Sequence, residues 1–237
     1  MEDNDRRECF RDGNREVHLM LFKLPVKKKF YVAASILSGA PGGGGGGGGT
    51  AFDPANKAAA ITLSNGNLTA AGSGGTTQPG TVRTVQSHAS SKYYAEFTCN
   101  SVSGGKIGIG ILNASQVIGG SGNGLGSSSN SVGYYSDSNI YAQGYAVIGG
   151  IVSFATGDNI SMAVNVGTQQ IWWRKNGGLW NASAGADPST GTGATSFSFL
   201  TGAVFIGVEC EQSGDTVTAN FGATSYAYTA PSGYGNF

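Results

Sequence analysis

A chain of 237 residues with zero formal net charge and only 12% charged residues lacks the clustered Lys and Arg that a phosphate-binding groove needs, so nucleic acid is not an expected partner. Its 41 glycines and many Ser, Thr and Asn residues are typical of short strands and tight turns rather than helices. The three cysteines are too few and too scattered for a disulfide scaffold or a zinc site. We therefore expect an all-β protein without a metal or cofactor.

The N-terminal part of the chain differs in composition from the rest. Residues 1–16 mix charges of both signs with little apolar content, which predicts disorder or a tail that a partner orders. Two apolar runs follow, at 17–24 and 30–37, and both are shorter than the ~20 residues of a membrane-spanning helix. No membrane span is expected. The candidate residues for an anchor to another protein are Lys27, Lys28 and Lys29, between the runs, and Phe30, which begins the second run.

A run of eight consecutive glycines fills residues 42–49, directly after Pro41. Because glycine loses more backbone entropy on ordering than other residues, the run predicts a flexible hinge with a span of about 15 Å. The alternative is a polyglycine helix that packs against copies from other subunits. The hinge interpretation divides the chain into an N-terminal anchor or tail at 1–41, the hinge at 42–49 and one domain at 50–237.

The three cysteines fall into two groups. Cys99 and Cys210 lie at or near the ends of alternating apolar runs, which predicts buried free thiols. Cys9 lies in the polar N-terminal segment and is the one that we expect to be exposed. It is the candidate for an intermolecular disulfide to another subunit in an oxidising environment.

From residue 51 onward the pattern predicts short strands in close succession. The predicted strands are 61–63, 68–70, 82–85, 92–100, 106–112, 132–135, 140–148, 160–166, 170–174, 204–211 and 216–221. In 106–112 the isoleucines alternate with glycines, so we expect another backbone to lie close to the glycine face. Residues 119–131 are predicted as a long exposed loop, and 178–197 as a loop that is functional or mobile. About eleven strands without a helix predict two antiparallel sheets packed face to face.

The clearest hairpin lies at residues 154–177. Apolar residues alternate with small or polar ones along 160–166, and Asn176-Gly177 gives a strong turn signal after the second strand. Alternation along the second strand places Ile171 and Trp173 on one face and Trp172 and Arg174 on the other.

The order of seven segments resembles the SPRY domain family: KYYAEF, KIGIGI, VGYY, FATGD, ISMAVNV, IWWRKNG and VTANFG. The resemblance covers residues 51–230. Three further segments, DPANKAAAITLSNGNLTA, ADPSTGTGA and GDTVTANFGATSYAYTAP, are similar more specifically to SPRY domains of bacteriophage and prophage virion proteins. The resemblance implies a bent, lectin-like antiparallel β-sandwich that is not an enzyme and that binds a partner through the loops at one rim.

The chain departs from the family pattern at Val132, Glu209 and Glu211, and in the long insertion after Trp180. These positions fall on or near the rim that the resemblance implies for binding. The resemblance therefore implies a mode of binding but not a ligand.

An aromatic and cationic pair is the main candidate for binding. The family pattern assigns Trp173 to the core, which would leave Trp172 outward beside Arg174. Such a pair suits stacking on a sugar ring or a hot spot for a protein partner. The alternative is that Trp172 packs beneath the loop that carries Trp180. The candidate ligand-binding residues are Trp172, Arg174, Trp180, Tyr135 and Tyr141, with Tyr145 as a further rim residue; simple packing is the alternative for the tyrosines.

Catalysis is not expected from the residues present. The chain has two histidines and no serine in a nucleophile elbow. Glu209 and Glu211 share one face of a strand, as the acids of lectin-like glycosidases do, but Ser213 follows on that face. A solvated acidic face is the favoured interpretation. Calcium ligation is a minor alternative for Asp137, Asp158 and Asp215, although their spacing forms no ligand loop.

Together these features predict a non-enzymatic virion protein on the external surface of a phage particle. The N-terminus would attach to other virion proteins, and the SPRY-like domain would bind a host surface glycan or protein, as a tail fibre or other adhesion protein does. We expect a homo-oligomer or several copies in each particle. The first alternative is a purely structural decoration protein of capsid, collar or tail. The second is a glycan-cleaving enzyme of lectin-like fold.

Overall fold

The computed structural model describes residues 10–12, 15–17, 50–73 and 80–237. The chain divides into two units, Met1–Gly45 and Gly46–Phe237. In the first unit, strands β1 (Phe10–Asp12) and β2 (Arg15–Val17) pair antiparallel, within a segment for which the sequence predicts disorder. The anchor candidates Lys27, Lys28, Lys29 and Phe30, the glycine run 42–49 and Cys9 lie outside the described residues.

The second unit is built from two β-sheets. Its strands in chain order are β3 (Phe52–Lys57), β4 (Ile61–Ser64), β5 (Thr69–Gly72), β6 (Gly80–Thr84), β7 (Lys92–Ser101), β8 (Ile107–Leu112), β9 (Ser131–Tyr135), β10 (Asn139–Ala142), β11 (Ala146–Gly150), β12 (Asn159–Asn165), β13 (Gln170–Lys175), β14 (Thr195–Ser196), β15 (Phe205–Cys210), β16 (Thr216–Asn220) and β17 (Gly235–Asn236). Among the described residues the one helical element is a 3₁₀ turn at Trp180–Ala182.

The seven-stranded sheet has the order β11-β10-β9-β8-β15-β6-β3, and the eight-stranded sheet has the order β14-β13-β12-β7-β16-β5-β4 with β17 beside β7. Neighbouring strands are antiparallel except for β17, which runs parallel to β7. The predicted two-sheet antiparallel β-sandwich is confirmed.

The core lies between the sheets and follows the alternation of the strands. On β7, Ala95, Phe97 and Cys99 are buried in this core, and on β13 the core residues are Ile171 and Trp173. Fully burying one large apolar side chain stabilises a fold by roughly 1.5–3 kcal/mol. The predicted assignment of Trp173 to the core is confirmed, as are the buried free thiols of the cysteines in this unit.

Among the longer strands of the second unit, two parts of the structure differ from the sequence-based prediction, and the two-residue strands β14 and β17 were not predicted. The predicted strand 140–148 is a hairpin of β10 and β11, because Gln143, Gly144 and Tyr145 all have positive φ angles of 51°, 89° and 62°. Strand β3 is missing from the prediction because it contains Pro54 and polar residues. Such a sequence fits an edge strand, where β3 lies.

The glycines of β8 allow the close contacts that the alternation predicts. A Cβ on Gly110 would lie 1.9 Å from the carbonyl oxygen of Val132, and a Cβ on Gly108 would lie 2.7 Å from the ring of Tyr135. The backbone of β9 and the Tyr135 ring therefore occupy the space of the missing side chains. This confirms the predicted close approach along the outer face of β8.

We expect Gly110→Ala to destabilise the sandwich by about 1–3 kcal/mol, the usual cost of forcing an extra group into a packed site. Denaturant unfolding monitored by tryptophan fluorescence measures the change. The matched control is Gly167→Ala, because the nearest atom to its Cβ would be Asn165 Oδ1 at 3.5 Å, an ordinary contact. Equal midpoints for Gly110→Ala and the unmodified protein would contradict the packing of β8 against β9.

The three aspartates that were alternatives for calcium ligation have separate structural roles. Asp137 pairs with Lys106, Asp158 pairs with Lys175, and Asp215 accepts hydrogen bonds from the backbone N–H groups of Ser103 and Gln212. Within the described ranges no three acidic, cysteine or histidine side chains form a group suited to a metal ion. That part of the chain also contains no helix with the length and apolar character needed to cross a membrane.

Candidate functional site

The loop between β8 and β9 covers the outer face of the seven-stranded sheet. Leu125, at the middle of this loop, is fully buried against Leu112 and Tyr135. Ser131 at the start of β9 fixes the loop, because its hydroxyl accepts the N–H of Gly126 (2.8 Å) and donates to Oε1 of Gln116 (2.9 Å). The prediction of an exposed loop at 119–131 is therefore wrong at its centre.

Glu209 lies beneath this loop. It points outward from β15 but is only 1% exposed, and its Oε2 accepts hydrogen bonds from the N–H of Leu125 (2.6 Å) and from the Tyr135 hydroxyl. Gly124 makes this burial possible, since a Cβ there would lie 2.3 Å from Oε2. The predicted solvated acidic face is wrong for Glu209, because the loop excludes water from it.

The protonation state of Glu209 determines which groups donate and which accept in the hydrogen bonds between Glu209, Tyr135 and Leu125. Burial raises the pKa of Glu209 to about 7 and raises the pKa of Tyr135 well above its ordinary value. The Tyr135 hydroxyl has one proton but two acceptors, Glu209 Oε2 and the Leu125 carbonyl at 2.7 Å. When Glu209 is protonated, it donates to Tyr135 and Tyr135 donates to Leu125. The neutral acid therefore lets the Tyr135 oxygen and the Leu125 carbonyl each accept a hydrogen bond.

A cavity of about 130 Å³ adjoins this buried group, and we name it the tyrosine pocket. Its five lining residues come from the ends of adjacent strands and from the β10–β11 turn: Lys106, Tyr135, Tyr141, Tyr145 and Glu211. The ring centroids of Tyr135 and Tyr141 are 5.2 Å apart, and those of Tyr141 and Tyr145 are 6.3 Å apart, both edge to face. The pocket thus has aromatic walls with charged groups at its edge.

One wall of the tyrosine pocket carries an ion pair. The ammonium of Lys106 lies 2.7 Å from Oδ2 of Asp137 and 5.2 Å from the ring centroid of Tyr141. The Tyr141 hydroxyl also donates to Asp137 (2.8 Å). The hydrogen bond to Asp137 raises the pKa of Lys106. Burial acts to raise the pKa of Asp137, but the hydrogen bonds from Lys106 and Tyr141 outweigh it and lower that pKa.

Glu211 and Tyr145 complete the lining of the pocket. The backbone N–H of Lys106 donates to Oε2 of Glu211 (3.1 Å), and burial raises the pKa of Glu211. Neither Glu211 nor Glu209 forms a salt bridge with any residue that the structure describes. Tyr145 is 38% exposed, and its hydroxyl accepts the N–H of Gly124 (2.8 Å). The tyrosine pocket is therefore open beside Tyr145.

The other candidate residues lie on the outer face of the eight-stranded sheet. Trp172 does point outward from β13, yet it is 0% exposed. It packs with Tyr94 and Ala163 beneath Trp180, and its indole N–H donates to the carbonyl of Thr192 (2.8 Å). The expectation of an exposed Trp172 is wrong, and the alternative of packing beneath the Trp180 loop is confirmed.

Arg174 connects two covering segments on this face. Its guanidinium lies 4.3 Å from the Trp180 ring centroid and 5.9 Å from that of Tyr228, and it donates to the carbonyl of Thr229 (2.8 Å). The buried carboxylate of Glu96 accepts the N–H groups of Ala227 (2.7 Å) and Tyr228 (2.9 Å). Trp172, Arg174 and Trp180 therefore come together, but as packing residues that hold loops on the sheet.

The predicted candidates thus form two separate groups rather than one rim. Tyr135 and Tyr141 line the tyrosine pocket on one sheet, whereas Trp172, Arg174 and Trp180 lie on the other. Lys106 was missing from the predicted site, and Glu211 was considered there as a departure from the family pattern near the binding rim and as a catalytic acid, not as a ligand-binding residue. The pairing of β8 with β15 brings both residues to the pocket: just beyond the paired strands, the backbone N–H of Glu211 donates to the carbonyl of Lys106 (3.1 Å). Sequence spacing carries no signal for that pairing.

The tyrosine pocket offers aromatic surface, hydroxyl groups, one ammonium and one carboxylate. Hydrolysis of a glycoside would need two carboxyl groups on either side of the bond, and Glu211 is the one carboxylate among the lining residues. Glu209 is held behind Tyr135 and Gly124. The arrangement of these groups suits binding.

Solved structures share this architecture. The SPRY domain of human HERC1 superposes with a TM-score of 0.57 at 18% identity, covering 71% of this chain and 96% of that chain. The stonustoxin structure gives a TM-score of 0.51 at 14% identity, covering 72% of this chain and 26% of that chain. The fold is thus a SPRY-like β-sandwich. No protein-family model matches the chain, and no curated protein matches its sequence.

Proposed function

We propose that this chain is a virion protein of a bacteriophage whose SPRY-like sandwich binds a partner at the tyrosine pocket, while its N-terminal segment attaches it to the particle. The segments that resemble phage SPRY domains support the virion assignment. The partner would be a glycan or a protein on the host surface. Several copies in each particle would strengthen weak individual contacts, because linked sites bind with higher avidity.

The observation that carries the binding role is the tyrosine pocket itself. Tyrosine is enriched in binding surfaces because it buries a large rigid area and keeps a hydroxyl for hydrogen bonding. Two of its tyrosines project from strands of the seven-stranded sheet, and Tyr135 is fixed by Glu209 and Leu125. Walls that are held in place before binding lower the entropy cost of association.

A structural role in the particle is the second candidate, and the edge strand β11 favours it. Val147 is 59% exposed and Ile148 is 39% exposed on this strand, and Val152 just beyond it is 46% exposed. Within the described residues β11 has β10 as its one neighbour. An uncharged apolar edge strand can add a strand from another protein, as a decoration protein packed against its neighbours would.

We expect Tyr145→Ala to lower the binding of the purified full chain to bacterial cell envelopes by about tenfold or more, the usual effect of truncating a hot-spot aromatic. A pull-down with envelopes from a panel of strains, quantified by fluorescence, measures it. The matched control is Tyr228→Ala, which removes a partly buried tyrosine on the other sheet and should leave binding unchanged. Thermal unfolding of both variants checks that the fold is retained.

Envelope binding, compared with incorporation into particles, distinguishes the host-binding role from the structural role. Equal envelope binding by Tyr145→Ala and the unmodified chain would remove the tyrosine pocket as the host-binding site. If Val147→Asp then abolished incorporation into particles while Tyr145→Ala did not, the structural role would replace the proposed one.

A further inference from the structure

We infer that the tyrosine pocket binds the ammonium end of a lysine side chain from a protein partner, an inference that rests on the binding function proposed above. Three properties of the pocket lead to this ligand: its charge, its aromatic walls and its size.

The charge of the tyrosine pocket favours a cation. The ammonium of Lys106 is neutralised by Asp137 at 2.7 Å. Glu211 receives one hydrogen bond from a backbone N–H, and neither it nor the nearby Glu209 forms a salt bridge in the part of the chain that the structure describes. The Glu211 carboxylate is therefore the negative charge that faces the pocket without a paired cation among the described residues. An anionic group would be repelled by Glu211, whereas an ammonium would form a charge-assisted hydrogen bond with it.

The aromatic walls favour the same ligand. A cation near the face of a tyrosine ring is attracted by the ring's electrons, and cages of aromatic residues bind ammonium ligands in this way. The Lys106 ammonium shows this chemistry within the chain, since it lies 5.2 Å from the Tyr141 ring centroid and beside a carboxylate. Tyr145 and Glu211 supply the same two groups, an aromatic ring and a carboxylate, to the lining of the pocket.

The size of the tyrosine pocket distinguishes a lysine from a sugar. A cavity of about 130 Å³ is close to the roughly 150 Å³ that holds benzene in an engineered protein cavity. It therefore accommodates about six non-hydrogen atoms by the same comparison, which matches the ammonium and methylene groups of lysine. A hexose ring with its hydroxyl groups has about twice that number of atoms, so part of it would extend out of the pocket on the open side beside Tyr145.

The test uses small probes with the full chain. Nα-acetyl-lysine amide should bind in the millimolar range and perturb the tyrosine signals in NMR spectra, whereas Nα-acetyl-norleucine amide, which has the same four side-chain carbons without the ammonium group, should not. Glu211→Gln should weaken binding of the lysine probe by about tenfold or more, since it removes a charged acceptor. The matched control is Asp187→Asn, the same change in net charge on an exposed loop above the other sheet, and it should leave the affinity unchanged.

Three outcomes would overturn the inference. Equal affinity for the lysine and norleucine probes would show that the ammonium is not recognised. Equal or tighter binding of glucosamine would replace the lysine by an amino sugar. Unchanged affinity in Glu211→Gln would remove the carboxylate from the site. If any of these occurred while Tyr145→Ala still lost envelope binding, the inference would fail and the proposed function would stand.

Discussion

Trp172→Ala is expected to lower the free energy of unfolding by about 3–5 kcal/mol, the range for removing a large buried aromatic side chain. Trp172 is fully buried, and its indole N–H is satisfied by Thr192. The alanine variant would lose these contacts and leave a cavity between β13 and the loop that carries Trp180. Chemical denaturation measures the loss, and circular dichroism confirms that the remaining fold is retained.

The control for this prediction is Trp180→Ala, since Trp180 is only partly buried and lies above Trp172. We expect a smaller loss, of about 1–2 kcal/mol. A Trp172→Ala variant that kept its stability and lost partner binding would support the opposite view, in which Trp172 is an exposed binding residue. The structure makes the reverse prediction, a large loss of stability without a specific loss of binding.

Glu209→Gln is expected to remove most of a pH dependence of stability that the unmodified protein shows between about pH 4.5 and pH 7. Burial raises the pKa of Glu209 from 4.5 to about 7 in the folded state. The folded protein therefore binds a proton more tightly than the unfolded chain does in this range. Stability from Glu209 is fully present below pH 4.5 and is lost as the pH rises through 7, by about 3 kcal/mol in total.

The measurement compares urea unfolding at pH 5 and pH 8 for both proteins. Other groups titrate in or near this range as well: burial raises the pKa of Glu211 and lowers the pKa of His88, so these two groups change stability with pH in opposite directions. The difference between the two proteins isolates Glu209. Glutamine keeps an oxygen that accepts from Leu125 and remains neutral, so its stability should change less with pH. Parallel curves for the two proteins would show that Glu209 titrates normally.

The alternation of residues predicts which face of a strand each side chain occupies, and these assignments hold for β7, β12 and β13. It does not predict what covers the outer face. Trp172 and Glu209 both point outward as predicted, but each lies beneath a loop. The contact between Trp172 and Thr192 spans 20 residues of irregular chain, and Leu125 meets Glu209 across 84 residues. Periodicity carries no information about such contacts.

The candidate site was also predicted only in part. Aromatic residues near strand ends suggested Tyr135, Tyr141 and Tyr145 individually, and the structure brings all three together. The charged partners depend on the register of β8 with β15, which sequence spacing does not determine. The sequence also did not reveal the turn at Gln143–Tyr145, because Gln143 and Tyr145 adopt positive φ angles, for which glycine is the usual sequence signal.

The loop over the seven-stranded sheet also bears on how this protein can change in evolution. Leu125 and Glu209 fix the loop from below, while Tyr145 and Glu211 lie at its margin and each accept one backbone hydrogen bond. Substitutions at the margin can alter ligand preference at a lower cost in stability than substitutions beneath the loop, which act on the fold. Under the proposed function, related proteins would then diverge at the margin first and keep the buried acid, so the preferred ligand would change while the scaffold stayed constant.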